Sequence, residues 1–128
     1  MLKVQHILVV GHYGCGGVLS ALRNDRLGLI DNWLRHVQDV RLKHLPMMEA
    51  IASHASQADR LCELNVIEQA LNVCQTTVVQ EAWARQQPVT VHGWIYSLAD
   101  GRLRDLDTCI AGQDELVPAY TEALARLG

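Results

Sequence analysis

HILVVGHYGCGG, residues 6–17, is the stretch of sequence that decides the fold. Residues 6–10 hold a short apolar run rich in β-branched side chains, which predicts a strand buried on both faces, as in parallel sheets. The glycines that follow predict a tight turn, and residues 18–23 are predicted to form a short helix after it. A buried strand, a glycine turn and a helix in this order indicate an α/β protein.

Downstream of this stretch the apolar residues recur at helical spacing over the middle of the chain. The first helical pattern begins at Ile30, and Pro46 is expected to break it, with residues 47–54 as a second segment. Asp59 is predicted to cap the next helix. The apolar residues of that helix recur at steps of three and four: Leu64, Ile67, Leu71, Cys74, Val78 and Ala82. The polar residues 75–77 indicate a break within it.

The last third of the chain predicts two strands and a final helix. Residues 89–96 alternate and are β-rich, and a turn signal at residues 99–101 predicts a hairpin to a third strand at 102–107. Residues 116–127 predict a C-terminal helix with Pro118 in its first turn. The order β-α-α-α-β-β-α predicts an α/β layered domain with an antiparallel addition at the sheet edge.

The composition limits the classes of protein to which the chain can belong. Its 128 residues and 49% hydrophobic content predict one domain with a core, not a disordered chain. The net charge of −3 shows no basic excess, so no nucleic-acid partner is expected. No apolar run nears the roughly 20 residues that span a bilayer, and residues 1–7 lack the features of a signal peptide. We therefore expect a cytoplasmic protein with reduced thiols, in which Cys62 and Cys74 are core residues.

His12 and Cys15 form a His-x-x-Cys pair directly after the predicted strand. Imidazole nitrogen and thiolate sulfur are good zinc ligands, and this spacing across a glycine turn lets both side chains converge on one ion. Open α/β sheets also bind ligands at the carboxyl ends of their strands. Two ligands do not complete a zinc site, so a glycine turn with an incidental His and Cys stays open as an alternative. A phosphate loop is disfavoured, since neither a Gly-Lys-Ser/Thr ending nor Gly-x-Gly-x-x-Gly occurs.

The same stretch resembles the second zinc-binding segment of the β-class carbonic anhydrases. The resemblance continues, in the family's order, through four further blocks: GLIDNWL at 28–34, LCELNV at 61–66, HGWIY at 92–96 and DGRLRDL at 100–106. It implies the family's fold, a mostly parallel sheet flanked by helices with an antiparallel edge hairpin. It also implies that residues 1–128 are a single C-terminal portion of the family domain, without its N-terminal part.

The resemblance implies a zinc enzyme that interconverts carbon dioxide and bicarbonate, with two Cys and one His as permanent zinc ligands. In that chemistry zinc lowers the pKa of bound water to about 7, which makes hydroxide available to attack carbon dioxide. His12 and Cys15 match two of the three ligands. The family's Cys-x-Asp-x-Arg segment, with the other Cys and an Asp-Arg pair, has no match here. The catalytic residues are therefore unassigned, and the activity of this chain is expected to be impaired or absent.

Two alternatives to such an enzyme stay open. The first is a noncatalytic remnant that self-associates through a sheet edge, because the family's first strand lies beside the strand at residues 6–10 and would leave it unpaired. In the second, two chains pool His12 and Cys15 into one His₂Cys₂ zinc site. The resemblance also implies a homo-oligomer, a dimer or a tetramer.

Gly93-Trp94-Ile95-Tyr96 matches the context in which one regulated subclass of the family binds bicarbonate at a noncatalytic site. There a Tyr acts with a Trp and an Arg from the N-terminal portion, so the resemblance implies a bicarbonate role for Tyr96. The alternative is a strand aromatic that packs, with its hydroxyl satisfied nearby. The remaining histidines are expected to be structural or surface groups: His6, His36, His44, His54 and His92.

Overall fold

The computed structural model describes residues 3–127. Met1, Leu2 and Gly128 lie outside the described residues. The segment at residues 1–7, in which no signal peptide is predicted, is therefore described only from Lys3 onward. The strands and helices of this part of the chain are β1 (His6–His12), α1 (Gly16–Arg23), α2 (Asp31–Lys43), α3 (Leu45–Glu49), α4 (His54–Cys74), α5 (Thr77–Ala84), β2 (Thr90–Ser97), β3 (Arg102–Ile110) and α6 (Leu116–Leu127). No helix among residues 3–127 is long and apolar enough to cross a membrane.

The three strands form one mixed sheet in the order β1-β2-β3. β1 runs parallel to β2, with His6 opposite Thr90 and His12 opposite Tyr96. β2 runs antiparallel to β3, and the hairpin between them turns at Gly101, whose φ is +67°. Both the α/β class and the antiparallel hairpin at the sheet edge are thereby confirmed.

Helix α4 forms the centre of the core and packs against the sheet. Its fully buried apolar side chains are those of Leu61, Leu64, Ile67, Ala70 and Cys74. A Cβ at Gly11 of β1 would lie 2.5 Å from Val66 Cγ2, and one at Gly93 of β2 would lie 3.3 Å from Val66 Cγ1. Because neither strand residue has a side chain, α4 can lie this close to the sheet.

β1 is covered on one face only within residues 3–127. Ile7 and Val9 pack against the buried core, whereas Leu8 and Val10 keep 48% and 49% of their surface exposed. The prediction of a strand buried on both faces is therefore wrong for the described chain, because α4 covers the side of β1 that carries Ile7 and Val9. β1 also pairs with one strand alone in this part of the protein.

The start of α4 differs from the expectation. The helix begins at His54 and not near Asp59. Ser53 caps it, since its Oγ accepts a hydrogen bond from the backbone N–H of Ser56 at 3.3 Å. The prediction that Asp59 caps this helix is wrong, because the helix begins earlier, where Ser53 accepts from one of the free N–H groups of the first turn.

Two other helix boundaries follow from local chemistry. Pro46 lies in the first turn of α3, where its missing N–H is not needed, so the second segment predicted at residues 47–54 starts earlier and is shorter. The predicted break at residues 75–77 is confirmed between α4 and α5. There Thr76 caps α5 by accepting a hydrogen bond from the backbone N–H of Val79 at 3.5 Å.

A buried carboxylate connects three helices. Glu68 of α4 accepts hydrogen bonds from His44 Nε2 at 2.7 Å, from Lys43 Nζ at 3.0 Å and from the Tyr120 hydroxyl of α6. Burial raises the pKa of Glu68, but the hydrogen bonds from Tyr120, His44 and Lys43 outweigh it and hold that pKa below its ordinary value. The ionised carboxylate therefore fastens the end of α2 and the middle of α6 to α4, and His44 has the structural role expected of it.

The close contact between Gly11 and Val66 predicts a difference in stability between two glycine-to-alanine variants. Gly11→Ala should destabilise the fold by about 1–3 kcal/mol, because an extra carbon in a packed contact forces the backbone to shift. Gly16→Ala is the matched control, since no non-neighbouring atom of the described chain lies within 4 Å of a Cβ built there. Urea unfolding measures both variants. Equal transition midpoints would contradict the idea that Gly11 sets the distance between α4 and the sheet.

The Glu68 cluster predicts a pH dependence of stability. A carboxyl group whose pKa is lowered by folding stabilises the native state above its unfolded-state pKa of about 4.3. That contribution is lost as the pH falls through the folded-state pKa. The advantage of wild type over Glu68→Gln should therefore be full near neutral pH and shrink in acid, as urea unfolding at several pH values would show.

Glu122→Gln is the control for this series. Glu122 is exposed and pairs with Arg126 at 2.8 Å on the surface of α6, so its loss should change stability little at any pH. A wild-type advantage over Glu68→Gln that stays constant in acid would show that Glu68 is not the ionised acceptor described above.

Candidate metal centre

The turn between β1 and α1 brings His12 and Cys15 to the carboxyl end of β1. His12 is the last residue of the strand, and Cys15 is the N-cap of α1, with its carbonyl accepting from the backbone N–H of Leu19 at 3.0 Å. Gly14 between them has a φ of +68°, a left-handed conformation that favours glycine. Strand, turn and helix start thus hold both predicted metal ligands on one short loop.

The imidazole of His12 is oriented by the residue that follows it. His12 Nδ1 lies 2.9 Å from the carbonyl oxygen of Tyr13. A carbonyl can only accept, so Nδ1 carries the hydrogen, and in the neutral ring Nε2 keeps a free electron pair. Metal-ligating histidines commonly donate their other N–H to a carbonyl in this way, which sets the tautomer and the ring orientation. The geometry of His12 therefore fits a metal ligand that binds through Nε2.

Cys15 is half-buried and lies against Cys62 of α4. Burial raises the pKa of the Cys62 thiol to about 11, although a hydrogen bond with the backbone of Cys15 lowers it in part. Cys62 is consequently a protonated thiol near neutral pH, and the thiolate is the form that binds metals. The two cysteines line a cavity of about 320 Å³ together with His54 and Asp59.

His12 and Cys15 form a partial donor set. Among residues 3–127 no group of three or more His, Cys, Asp and Glu side chains is placed to hold a metal ion. Imidazole nitrogen with thiolate sulfur is nevertheless the combination that zinc prefers. Cys74 is buried in the core, where burial raises the pKa of its thiol to about 11, and Cys109 is exposed on β3. The prediction that Cys62 and Cys74 are core residues is confirmed.

Tyr96 lies next to His12 across the parallel pair of strands. Its carbonyl accepts a hydrogen bond from the backbone N–H of Tyr13 at 3.0 Å. Its side chain and His12 line a cavity of about 560 Å³, whose other walls include the exposed apolar residues Leu98 and Leu103. The structure thus brings Tyr96 to the candidate metal ligand, while its predicted bicarbonate role stays a prediction.

Tyr13, to which the sequence patterns assign no role, connects the loop to α4 and β3. Its hydroxyl donates to Glu63 Oε2 at 2.5 Å and accepts from Arg104 Nη2 at 2.8 Å. Burial and the hydrogen bond to Glu63 raise the pKa of Tyr13, so the phenol is protonated near neutral pH. Glu63 and Arg104 lie in two of the blocks that carry the family resemblance, and that was the one signal that could have pointed to them.

Sequence comparison places these features in a known family. A family model described as carbonic anhydrase matches residues 1–103. A carbonic anhydrase of Emericella nidulans is 44% identical over 111 residues, which cover 87% of this chain and 49% of the relative. One of Pseudomonas aeruginosa is 34% identical over 84% of this chain and 49% of the relative. The chain thus spans about half the length of these curated relatives.

Solved structures show the same fold. The Coccomyxa β-carbonic anhydrase in complex with acetazolamide has a TM-score of 0.85 and 33% identity, covering 98% of this chain and 59% of that chain. The β-carbonic anhydrase CafA of Aspergillus fumigatus has a TM-score of 0.78 and 37% identity, covering 94% and 57% respectively. A structure from a study of two tetrameric β-carbonic anhydrases of Sordaria macrospora has a TM-score of 0.78 at 32% identity, covering 86% and 56%.

Proposed function

The chain belongs to the β-class carbonic anhydrases, and on this premise we propose that it carries part of a zinc centre for the reversible hydration of carbon dioxide to bicarbonate. The observation that supports the metal is the loop geometry. His12 Nδ1 is engaged with a backbone carbonyl at 2.9 Å, which leaves Nε2 available, and the thiol of Cys15 lies three residues further on the same loop. Nitrogen and thiolate sulfur are donors that suit zinc.

The number of zinc ligands limits the activity that we expect from residues 1–128. The resemblance assigns these residues to the C-terminal portion of the family domain. Zinc, when bound, lowers the pKa of water to about 7 and so supplies the nucleophile for carbon dioxide. The part of this chain in that chemistry is to hold the ion through His12 and Cys15. A catalytic zinc site takes three protein ligands, and the described residues offer two. We therefore expect these residues alone to hold zinc with fewer protein ligands than a catalytic site has, and to be impaired or inactive in carbon dioxide hydration.

Tyr96 is the residue to which we assign bicarbonate binding in this proposal. The support is its family context and its place beside His12 in the 560 Å³ cavity, where a phenol hydroxyl can donate to an anion. Within residues 3–127 no Arg or Lys lines that cavity. The assignment therefore requires a cation from elsewhere in the assembled protein.

Self-association through the β1 edge is the second candidate function. Leu8 and Val10 are half-exposed on a strand that pairs with one neighbour in the described chain, and such an edge is a template for further pairing. A homo-oligomer is expected under either candidate. Both candidates also assume the cytoplasmic location that we expect from the sequence.

Zinc content per chain, measured by atomic absorption after purification, tests the metal proposal. His12→Ala and Cys15→Ala should each remove the zinc that wild type retains. His36→Ala and Cys109→Ala are the matched controls, because both residues are exposed and lie outside residues 12–15, the metal loop. Both variants should retain zinc as wild type does. A carbon dioxide hydration assay on the same samples should show little or no activity.

The results separate the alternatives. One zinc per chain with hydration activity would contradict the impairment, and one zinc per two chains, lost in Cys15→Ala, would indicate a pooled His₂Cys₂ site. Absence of zinc in wild type would contradict the metal proposal and favour the noncatalytic candidate. In any active preparation Tyr96→Phe should abolish inhibition by bicarbonate, and unchanged inhibition would exclude that role.

Self-association is tested by sedimentation velocity. The double variant Leu8→Lys, Val10→Lys should shift the protein toward monomer without loss of folding, because both positions are half-exposed and charges on an edge strand oppose pairing. Leu29→Lys is the control, since Leu29 is 87% exposed and lies outside the sheet. Equal sedimentation coefficients for wild type and both variants would argue against the edge as the association surface.

A further inference from the structure

Three separate contacts hold Tyr13 in place. Its backbone N–H donates to the carbonyl of Tyr96 at 3.0 Å, and its own carbonyl accepts from His12 Nδ1 at 2.9 Å. Its hydroxyl is bound by Glu63 and Arg104. One residue therefore connects the metal loop to β2 by its main chain and to α4 and β3 by its side chain.

The hydrogen bond from the Tyr13 hydroxyl is well defined because its acceptor, the Glu63 carboxylate, is buried and ion-paired. Glu63 is 8% exposed, and its carboxylate pairs with Arg60 at 3.4 Å and with Arg104 at 3.1 Å. The Arg104 guanidinium also lies over the Tyr13 ring, with its carbon 5.7 Å from the ring centre. Hydrogen bonds to a charged acceptor are shorter and stronger than neutral ones. The phenol is thus held in one position on the inside of the loop.

The position of the Tyr13 side chain matters because the backbone carbonyl of Tyr13 orients the His12 ring. The carbonyl of Tyr13 belongs to the peptide bond that joins it to Gly14, and a planar peptide turns as a unit. Gly14 has a φ of +68° and no side chain, so by itself it opposes such a turn less than any other residue. The direction of the carbonyl therefore depends on what holds Tyr13.

We propose that Tyr13 is a positioning residue for the metal ligand: its phenol, held by Glu63 and Arg104, keeps the Tyr13 carbonyl where it orients the His12 ring. This inference rests on the proposed zinc function, because the orientation affects function only if His12 binds a metal. Glu63 and Arg104 act through Tyr13.

The chain offers a matched control for this role. Tyr120 also donates its hydroxyl to a buried carboxylate, that of Glu68, which Lys43 and His44 hold as well. It joins helices instead of the metal loop, since it lies in α6. Tyr13→Phe and Tyr120→Phe therefore remove the same hydroxyl group from two similar networks, and only the first should affect His12.

Two measurements test the proposal on the full chain. In the metal-free protein, at a pH where the imidazole is neutral, ¹⁵N chemical shifts of the His12 ring report its tautomer. Wild type and Tyr120→Phe should show the Nδ1–H form, and Tyr13→Phe a mixture of both forms. Competition with a chelator should show about 10- to 100-fold weaker zinc binding for Tyr13→Phe, the usual effect of losing a partner behind a metal ligand, and no change for Tyr120→Phe.

Arg104→Gln is a second variant, which keeps the test decisive if Tyr13→Phe fails to fold. The Arg104 side chain is 63% exposed, so its loss should be tolerated while the phenol loses one of its two partners. It should shift the His12 tautomer in the same direction as Tyr13→Phe.

The outcomes distinguish the positioning role of Tyr13 from the proposed zinc function. An unchanged His12 tautomer in both variants overturns the positioning role, and so does an equal change in Tyr120→Phe. A changed tautomer with unchanged zinc affinity overturns it as well. If wild type takes up no zinc, the proposed zinc function fails, and the tautomer measurement alone then decides whether Tyr13 positions His12.

Discussion

The close packing of helix α4 on strands β1 and β2 is the contact on which the other features of the structure depend. It is possible because Gly11 and Gly93 present no side chain to Val66. Overpacking such a contact is destabilising, since interiors are already close-packed. With α4 at this distance, its apolar residues close the core, and its polar residues reach the metal loop on one side and the C-terminal helix on another.

The polar residues of α4 that make these connections are two buried glutamates. Glu63 and Glu68 are five positions apart on α4, which places them roughly 140° apart around the helix axis at 100° per residue. Glu63 therefore reaches Tyr13 in the loop, and Glu68 reaches Tyr120 in α6. A buried carboxylate without partners is costly, so each one favours the arrangement in which a phenol and basic side chains surround it. The same helix thus connects the core to the site.

Local sequence signals predicted most elements because their causes are local. Apolar periodicity predicted α4, the polar break before α5 was visible in residues 75–77, and Pro118 lies in the first turn of α6 as expected. The start of α4 was missed because Ser53 and Asp59 are both chemically suitable caps. Beside the Ser53 cap, Gln57 in the first turn donates to the carbonyls of Met48 and Ile51 in the segment before the helix, which favours the earlier start. The exposed face of β1 was missed because an apolar run does not state which neighbours cover it.

Sequence alone established the α/β order, the family, and the pairing of His12 with Cys15 on one turn, since each depends on residue types at short spacing. The ring nitrogen that His12 presents is set by a hydrogen bond to the adjacent residue, which the structure reveals. Tertiary structure decided that Cys62 is a buried thiol behind Cys15 and that Tyr13 is bound by Glu63 and Arg104. The reason is distance along the chain. Those two partners follow Tyr13 by 50 and 91 positions, and only the packing of α4 and β3 around β1 brings them within hydrogen-bond reach of the loop.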